Sequence, residues 1–377
     1  MTKIIRIMLI FVPLAFLAEF VLHNPLLIFI TSAIALVPLA GILGEATEEL
    51  AIHTGPRIGG LLNATLGNAA ELIITIVALH AGKYELIKAS LTGSIVGNLL
   101  LILGFSLLLG GLRHGVQRFD PRLTGMSASI MFLAVIGLII PTLFELIKET
   151  QGGRVDPVDT VVRDPQLVII SLGVAGVLML IYVLSLVYQL RSPNAAPMSH
   201  TGIEETEEIM AHKASWSVKT SVAVLAVSTL AIVFMSEFLV GVVDPVAQSL
   251  GIREVFLGVI LIPIVGNVAE HLVGVQAAMK NQMELSLNIS LGSSMQIALF
   301  VAPLLVFLSL FIGPAAPDAV YFGRQQLTLF FSLFEVVILG LSVIIAAFIS
   351  LDGESNWLEG AMLLAVYVIA ALGFFYL

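Results

Sequence analysis

Eleven apolar runs, separated mostly by short polar breaks, leave this chain few folds to choose from. They fall at about 4–22, 25–44, 58–80, 86–109, 123–146, 166–190, 217–240, 254–279, 285–312, 326–349 and 357–376. A bilayer core about 30 Å thick takes roughly 20 helical residues. In lipid every backbone N–H and C=O must be paired, and a helix pairs them within one segment. The expected class is therefore an all-α polytopic membrane protein with 11 transmembrane helices. Only 11% of the 377 residues are charged and mean hydropathy is +1.06, whereas soluble domains carry about 25% charged residues. A net charge of -9 speaks against a nucleic-acid partner, which favours a basic surface. With no cysteine, disulfides, thiolate catalysis and thiolate-bound metals are excluded. The first run follows Lys3 and Arg6 like a secretory signal, but no small-residue cleavage site stands out, so a retained helix is expected.

Two connections are longer than the rest. Residues 147–165 contain Gly152-Gly153, Asp156-Pro157 and Asp164-Pro165, all turn signals. Residues 191–216 carry the acidic run Glu204-Glu205-Thr206-Glu207-Glu208 and form the natural midpoint. That run is either a weak cation sensor or a solvated acidic loop. Ten Lys and Arg residues fall on the side of the N-terminus and seven on the other. The bias favours a cytoplasmic N-terminus and acidic loop, with the C-terminus outside.

One short motif occurs twice. Gly67-Asn68-Ala69-Ala70-Glu71 and Gly266-Asn267-Val268-Ala269-Glu270 lie 199 positions apart, and the same offset maps Gly93-Ser94 onto Gly292-Ser293. The chain therefore reads as an internal repeat. An extra helix (1–24) precedes a first five-helix half (25–190), the acidic central loop (191–216) and a second five-helix half (217–377). Because five is odd, the halves enter the membrane from opposite sides. This is the inverted-repeat plan of many secondary transporters, whose sites lie near the midplane between the halves.

Each motif places a carboxylate inside an apolar run. An ionised side chain at that depth costs roughly 2.5–3.5 kcal/mol or more, so Glu71 and Glu270 are the strongest functional candidates. Asn68, Glu71 and Thr75 share a helix face by spacing, as do Asn267 and Glu270. Gly59, Gly60 and Gly67 permit close packing or a local break, and Pro263 frees carbonyls before Asn267. The next helix of each half is polar: in the first, Ser90, Ser94 and Asn98 are spaced by four along one stripe, and the second offers Asn288, Ser290, Gly292, Ser293, Ser294 and Gln296. Such stripes also serve as packing contacts between membrane helices. Two carboxylates with Asn, Gln and Ser oxygens form a ligand set for a hard cation, Ca2+ or Mg2+, with Mn2+ an alternative. His271 is either a proton relay or a hydrogen-bonded core histidine. Glu45, Glu48 and Glu49, with looser counterparts Glu237 and Asp244, either recruit cations at an entrance or form a solvated helix end.

These paired motifs, with Ser94-Ile95-Val96-Gly97-Asn98 after the first and Gly292-Ser293-Ser294-Met295-Gln296 after the second, resemble the signature repeats of the Ca2+/H+ exchanger (CAX) family of the calcium/cation antiporter superfamily. The likeness extends to the layout and spans essentially the whole chain. It implies cation and proton binding at Glu71 and Glu270, and cation contacts at Asn68, Asn267, Ser94, Asn98, Ser293 and Gln296. His271 matches the family's histidine after the second glutamate. Related sodium/calcium exchangers carry Thr/Ser where this chain has Gly-Asn, which favours protons as the counter-ion.

The expected function is Ca2+/H+ antiport by alternating access, with extrusion from the cytoplasm. The transported ions take the place of a cofactor, and membrane lipid is the surrounding partner. In a prokaryote the location is the cell (inner) membrane. The sequence is compatible with a homo-oligomer. An ionised pair accepts a divalent cation, and without one the pair takes up protons, so two protons are expected per Ca2+. An Na+-coupled or other divalent exchanger on the same fold is the alternative. An intramembrane hydrolase lacks its motifs here, since neither GxGD nor HExxH occurs, and the paired acids disfavour a channel.

Overall fold

The computed structural model describes residues 3–55, 58–59, 62, 65–152, 164–191, 214–316 and 321–376. The acidic run Glu204–Glu208 and the turn signals Gly153 and Asp156-Pro157 lie outside the described residues. The chain is helical apart from a two-stranded bridge of β1 (Gln117–Arg118) with β2 (Glu354–Ser355). The helices in order are α1 (Ile5–Leu22), α2 (Pro25–Thr54), α3 (Ala69–His80), α4 (Tyr84–His114), α5 (Pro121–Gly152), α6 (Pro165–Arg191) and α7 (Val218–Gly241). They continue with α8 (Val243–Leu250), α9 (Glu254–Gly266), α10 (Val268–Met279), α11 (Met283–Leu308), α12 (Leu333–Ile349) and α13 (Trp357–Tyr376).

Among the described residues, eight helices are long and apolar enough to cross a membrane, or nine if α8 and α9, bent by 109°, count as one span. Eleven apolar runs yield eight continuous helices because three runs are not continuous. The run at 58–80 breaks at Gly67-Asn68, the run at 254–279 breaks at Asn267, and the run at 326–349 becomes helical only at Leu333. The first two breaks fall inside the paired motifs.

The third break corrects the expected helix. Residues 325–332 are neither helix nor strand, and Leu327, Leu329 and Phe331 are buried. Non-helical backbone at membrane depth needs partners from elsewhere in the protein. Tyr84 Oη donates to Gln325 O (2.9 Å) and Lys88 Nζ to Phe330 O (2.8 Å). Leu329 N–H donates to Ser171 Oγ (3.0 Å) and Phe331 N–H to Thr142 Oγ1 (2.9 Å). Helices α4, α5 and α6 thus supply what a helix would have supplied internally. Ser332 then starts α12 with a capping box to Glu335.

The turn at His23-Asn24-Pro25 is as expected. His23 takes a left-handed conformation (φ 50°), Asn24 Oδ1 accepts the Leu27 N–H at 3.1 Å, and Pro25 occupies the first helical position.

Elements recur at the motif offset. Helix α3 at 69–80 corresponds to α10 at 268–279, and the starts of α4 and α11 fall at 84 and 283. The connecting turn repeats too, with Gly82 at φ 74° and Asn281 at φ 65°, and with matching bonds Lys83 N to Ala78 O and Gln282 N to Ala277 O, both 2.9 Å. A π-helical turn interrupts α4 at Gly97–Ile102 and α11 at Ile297–Val301. Helices α4 and α11 form the centre: 72% and 78% of their apolar cores are buried, against 11–50% for the other continuous spans. Helices α2 and α7 pack along each other more extensively than any other pair.

Candidate metal and proton site

Each motif glutamate stands in the first turn of a helix that begins at a break. Gly67 and Asn68 form a turn and α3 starts at Ala69, while Asn267 separates α9 from α10. The breaks aim two helix N-termini, the positive ends of their dipoles, towards the carboxylates. They also release both asparagine side chains from their own helices, since neither caps the helix it precedes.

Each of these amides reaches the helix that follows the other motif. Asn68 Oδ1 accepts from Ser293 Oγ at 3.1 Å, and Asn68 Nδ2 donates to Gln296 Oε1 at 2.5 Å. Asn267 Nδ2 donates to Ser94 Oγ at 3.2 Å and to Pro263 O at 3.0 Å. Asn68 and Ser293 correspond to Asn267 and Ser94 at the common offset, so one contact is made twice with the halves exchanged. The backbone of the second motif also meets the first carboxylate: a Cβ at Gly266 would lie 3.0 Å from Glu71 Oε1. The two glutamate charges act on each other, and Ser293 hydrogen-bonds the Glu270 carboxylate. Glu71 is only 6% exposed and Glu270 is partly buried.

The sequence candidates divide by what their oxygens do. Glu71 Oε1, Asn267 Oδ1 and Asn98 Oδ1 are buried acceptors without a hydrogen-bond partner, and Asn98 Nδ2 has none either. The Gln296 oxygen is engaged by Asn68, which leaves its Nε2 without a partner. Asn68 and Gln296 therefore lock each other in this arrangement, and the open oxygens belong to the other three. Thr75, buried one turn beyond Glu71, donates its hydroxyl to the Glu71 backbone carbonyl at 2.7 Å. His271 is partly buried, and its side chain makes no hydrogen bond or ion pair among the described residues. Among those residues no three His, Asp or Glu side chains gather where they could hold a metal. A divalent cation here would take two charges from the protein and complete its shell with neutral oxygens.

The acidic end of α2 has structural partners. Glu45 pairs with Arg6 at 3.7 Å, and Glu49 Oε2 accepts the N–H groups of Ser215 (2.9 Å) and Trp216 (3.0 Å), while Glu48 is exposed. Asp244 pairs with Lys83.

Sequence reasoning missed Lys88 and Glu335. Lys88 is 4% exposed, pairs with Glu85 at 2.5 Å and donates to Phe330 O. Glu335, 3% exposed, accepts from Thr92 Oγ1 at 3.3 Å, two residues before Ser94. A signal was present in Ser332-Leu333-Phe334-Glu335, whose spacing marks a helix start at 332 rather than at 326.

Comparison with known proteins decides the family. Residues 24–191 and 220–376 match the pattern described as sodium/calcium exchanger protein. The chain belongs to this family, on its Ca2+/H+ antiporter branch. It is 41% identical to the Ca(2+)/H(+) antiporter of Synechocystis sp., over all of this chain and 98% of that one, and 40% identical to the Ca(2+)/H(+) antiporter of Aphanothece halophytica, over 98% and 95%. The crystal structure of the Ca2+/H+ antiporter protein YfkE superposes with a TM-score of 0.80 at 35% identity, covering 100% of both chains. Family membership and the apolar helices make this a multi-pass integral membrane protein.

Proposed function

We propose that this exchanger moves Ca2+ against H+ by alternating access, through one site shared by its two halves. The observation that carries the reading is the reciprocal pair of contacts, Asn68 with Ser293 and Asn267 with Ser94, which supports a site where Glu71 and Glu270 meet across the junction of the halves. The cation is held by Glu71 and Glu270, with Asn267 and Asn98 as neutral oxygen donors. Asn68, Gln296, Ser94 and Ser293 belong to the same site and fix its geometry when the cation is absent. Other hard divalents such as Mn2+ compete for it. The carboxylate pair accepts either one divalent ion or two protons. The transporter changes its facing only when the pair is neutralised, which couples the two fluxes. His271 is a secondary proton group beside Glu270.

We read the architecture as eleven crossings: the extra helix (1–24), two inverted five-helix halves (25–190 and 217–377) and the central acidic loop (191–216). Polar contacts support the alternation. Arg6 with Glu45, Glu49 with Ser215, and His53 with Trp216 O join ends that eleven crossings place on one side. Lys83 with Asp244 and Lys148 with Asp164 join ends on the other. With the N-terminus in the cytoplasm of a cell membrane, the direction is Ca2+ extrusion.

The test is 45Ca2+ uptake into proteoliposomes under an imposed pH gradient, with competing cations. Glu71→Gln and Glu270→Gln are each expected to abolish uptake while the protein stays folded. Normal exchange by either variant would remove that glutamate from the site.

A further inference from the structure

A second polar feature leaves the site in one direction only. It is a seam between α4, α10 and α11 whose buried side chains lack hydrogen-bond partners. Gly274, one turn beyond Glu270 on α10, marks where the three helices meet. A Cβ there would lie 3.3 Å from Ile102 Cγ2 of α4 and 3.9 Å from Ser286 Oγ of α11. Asn98 and Ser106 stand about one turn either side of Ile102, and Ser290 and Ser293 follow Ser286 at helical spacing on one face. Asn98, Ser106, Ser286 and Ser290 are each at most 1% exposed, and none of their side-chain polar atoms has a partner.

The seam continues to the end of the bundle that carries Arg118 and Glu354. There Gln117 Nε2 donates to Ala278 O (2.9 Å) and Asn281 Oδ1 (3.1 Å), while its Oε1 has no partner. Gly110, one turn past Ser106, admits that oxygen: a Cβ on Gly110 would lie 2.1 Å from it. At the inner end, Ser293 hydrogen-bonds Glu270.

Buried polar groups are satisfied by protein or by ordered water, and leaving them bare is costly. Here the protein satisfies none of the four side chains between Gln117 and Ser293. The corresponding positions in the other half are apolar and buried: Ile87 for Ser286, Leu91 for Ser290, Ile297 for Asn98 and Leu305 for Ser106. Packing of the fold therefore does not require the polar residues, and the seam runs where α4 of one half meets α10 and α11 of the other, without a polar counterpart at the equivalent positions.

We propose that the seam holds a file of ordered water running from Gln117 to Ser293, and that protons use it to reach the site separately from the cation. Calcium prefers six to eight oxygens, carboxylates among them, whereas the four unpartnered side chains of the seam are all neutral, and Glu284 at the Gln117 end accepts the Asp120 N–H. A proton needs only the hydrogen-bonded chain. It enters as one water is protonated at the Gln117 end and leaves as another releases a proton beside Ser293, so no charge is stored on the way. The proposal rests on the exchange reading above.

Ser290→Leu places in the seam the residue that occupies its counterpart. Interrupting the chain at this hydrogen-bonding position is expected to slow pH-driven 45Ca2+ uptake by about tenfold. The rise in melting temperature on adding Ca2+ in detergent should be unchanged, and Ser290→Thr, which keeps the hydroxyl, should stay near the wild-type rate. Should Ser290→Leu fail to fold, Ser106→Ala carries the test, because it removes only an oxygen. It should slow uptake by about threefold with the same Ca2+-induced shift. Wild-type uptake in the folded variant would overturn the proposal. So would loss of the Ca2+-induced shift together with uptake, which would make the seam part of the cation site. Wild-type protein that shows the Ca2+ shift but no gradient-driven uptake would instead sink the exchange reading, and this one with it.

Discussion

Gly93 is where α4 lies closest to the second motif, and replacing it with alanine has a consequence the structure fixes in advance. An alanine Cβ at this position would stand 2.0 Å from the Val259 carbonyl oxygen and 2.6 Å from Pro263 Cγ. Ordinary contact begins near 3.4 Å, so α4 and α9 must separate by about 1 Å or more. The obstructing oxygen is backbone, so no side chain can rotate away. Overpacking of this kind costs about 1–3 kcal/mol, partly offset by about 1 kcal/mol of helix propensity gained over glycine. Ser94, the next residue, accepts from Asn267 at 3.2 Å. A shift of that size breaks this bond and moves the two halves of the site apart. Gly93→Ala is therefore expected to lower the melting temperature by several degrees and to reduce Ca2+/H+ exchange at least about tenfold, the equivalent of 1.4 kcal/mol in the barrier. Gly173→Ala on α6, where a Cβ meets nothing within 4 Å, is the control and should melt and transport as wild type. Thermal unfolding in detergent and vesicle uptake test both. Unchanged melting and exchange in Gly93→Ala would refute the reasoning.

Three further outcomes follow from the same geometry. Lys88→Met removes the donor to Phe330 O and the partner of Glu85; a buried carbonyl left unpaired costs about 1–3 kcal/mol, so unfolding in detergent should shift accordingly. A double-mutant cycle of Asn267→Ala with Ser94→Ala should show a coupling of about 1 kcal/mol in stability, and strict additivity would mean that the crossing bond is not made in the membrane. Apparent Ca2+ affinity should fall as pH falls, by up to about 100-fold per pH unit where two protons are displaced per ion, whereas a pH-independent affinity in binding titrations would dissociate the proton from the site.

Residue type and spacing identified the paired glutamates because the cost of an unused carboxylate at membrane depth is high and was incurred twice at one offset. The same offset located α3 with α10 and α4 with α11, since equivalent signals end and start those helices: Gly82 and Asn281 take the left-handed turn, and Glu85 and Glu284 stand in the first turn that follows. Spacing misleads where the backbone departs from a regular helix. Residues 326–332 lie in an apolar run that predicts helix, because apolar content alone does not distinguish a helix from a non-helical segment held by other helices. The four polar side chains that hold it come from α4, α5 and α6, far away in sequence.

The paired GNxAE motifs, their offset and the apolar runs were determined by the sequence alone, because each is a matter of composition and period. Which oxygens stay open was not. Asn68 and Asn267 are the same residue in the same motif, yet one amide oxygen is engaged by Ser293 and the other is left bare. The packing beyond Ser293 likewise exists only in the tertiary structure, where Ile102 of α4 and Ser286 of α11 meet around Gly274 of α10. Sequence period fixes which face of a helix is polar. Only the packing of one helix against another decides whether that face finds a partner, water or an ion.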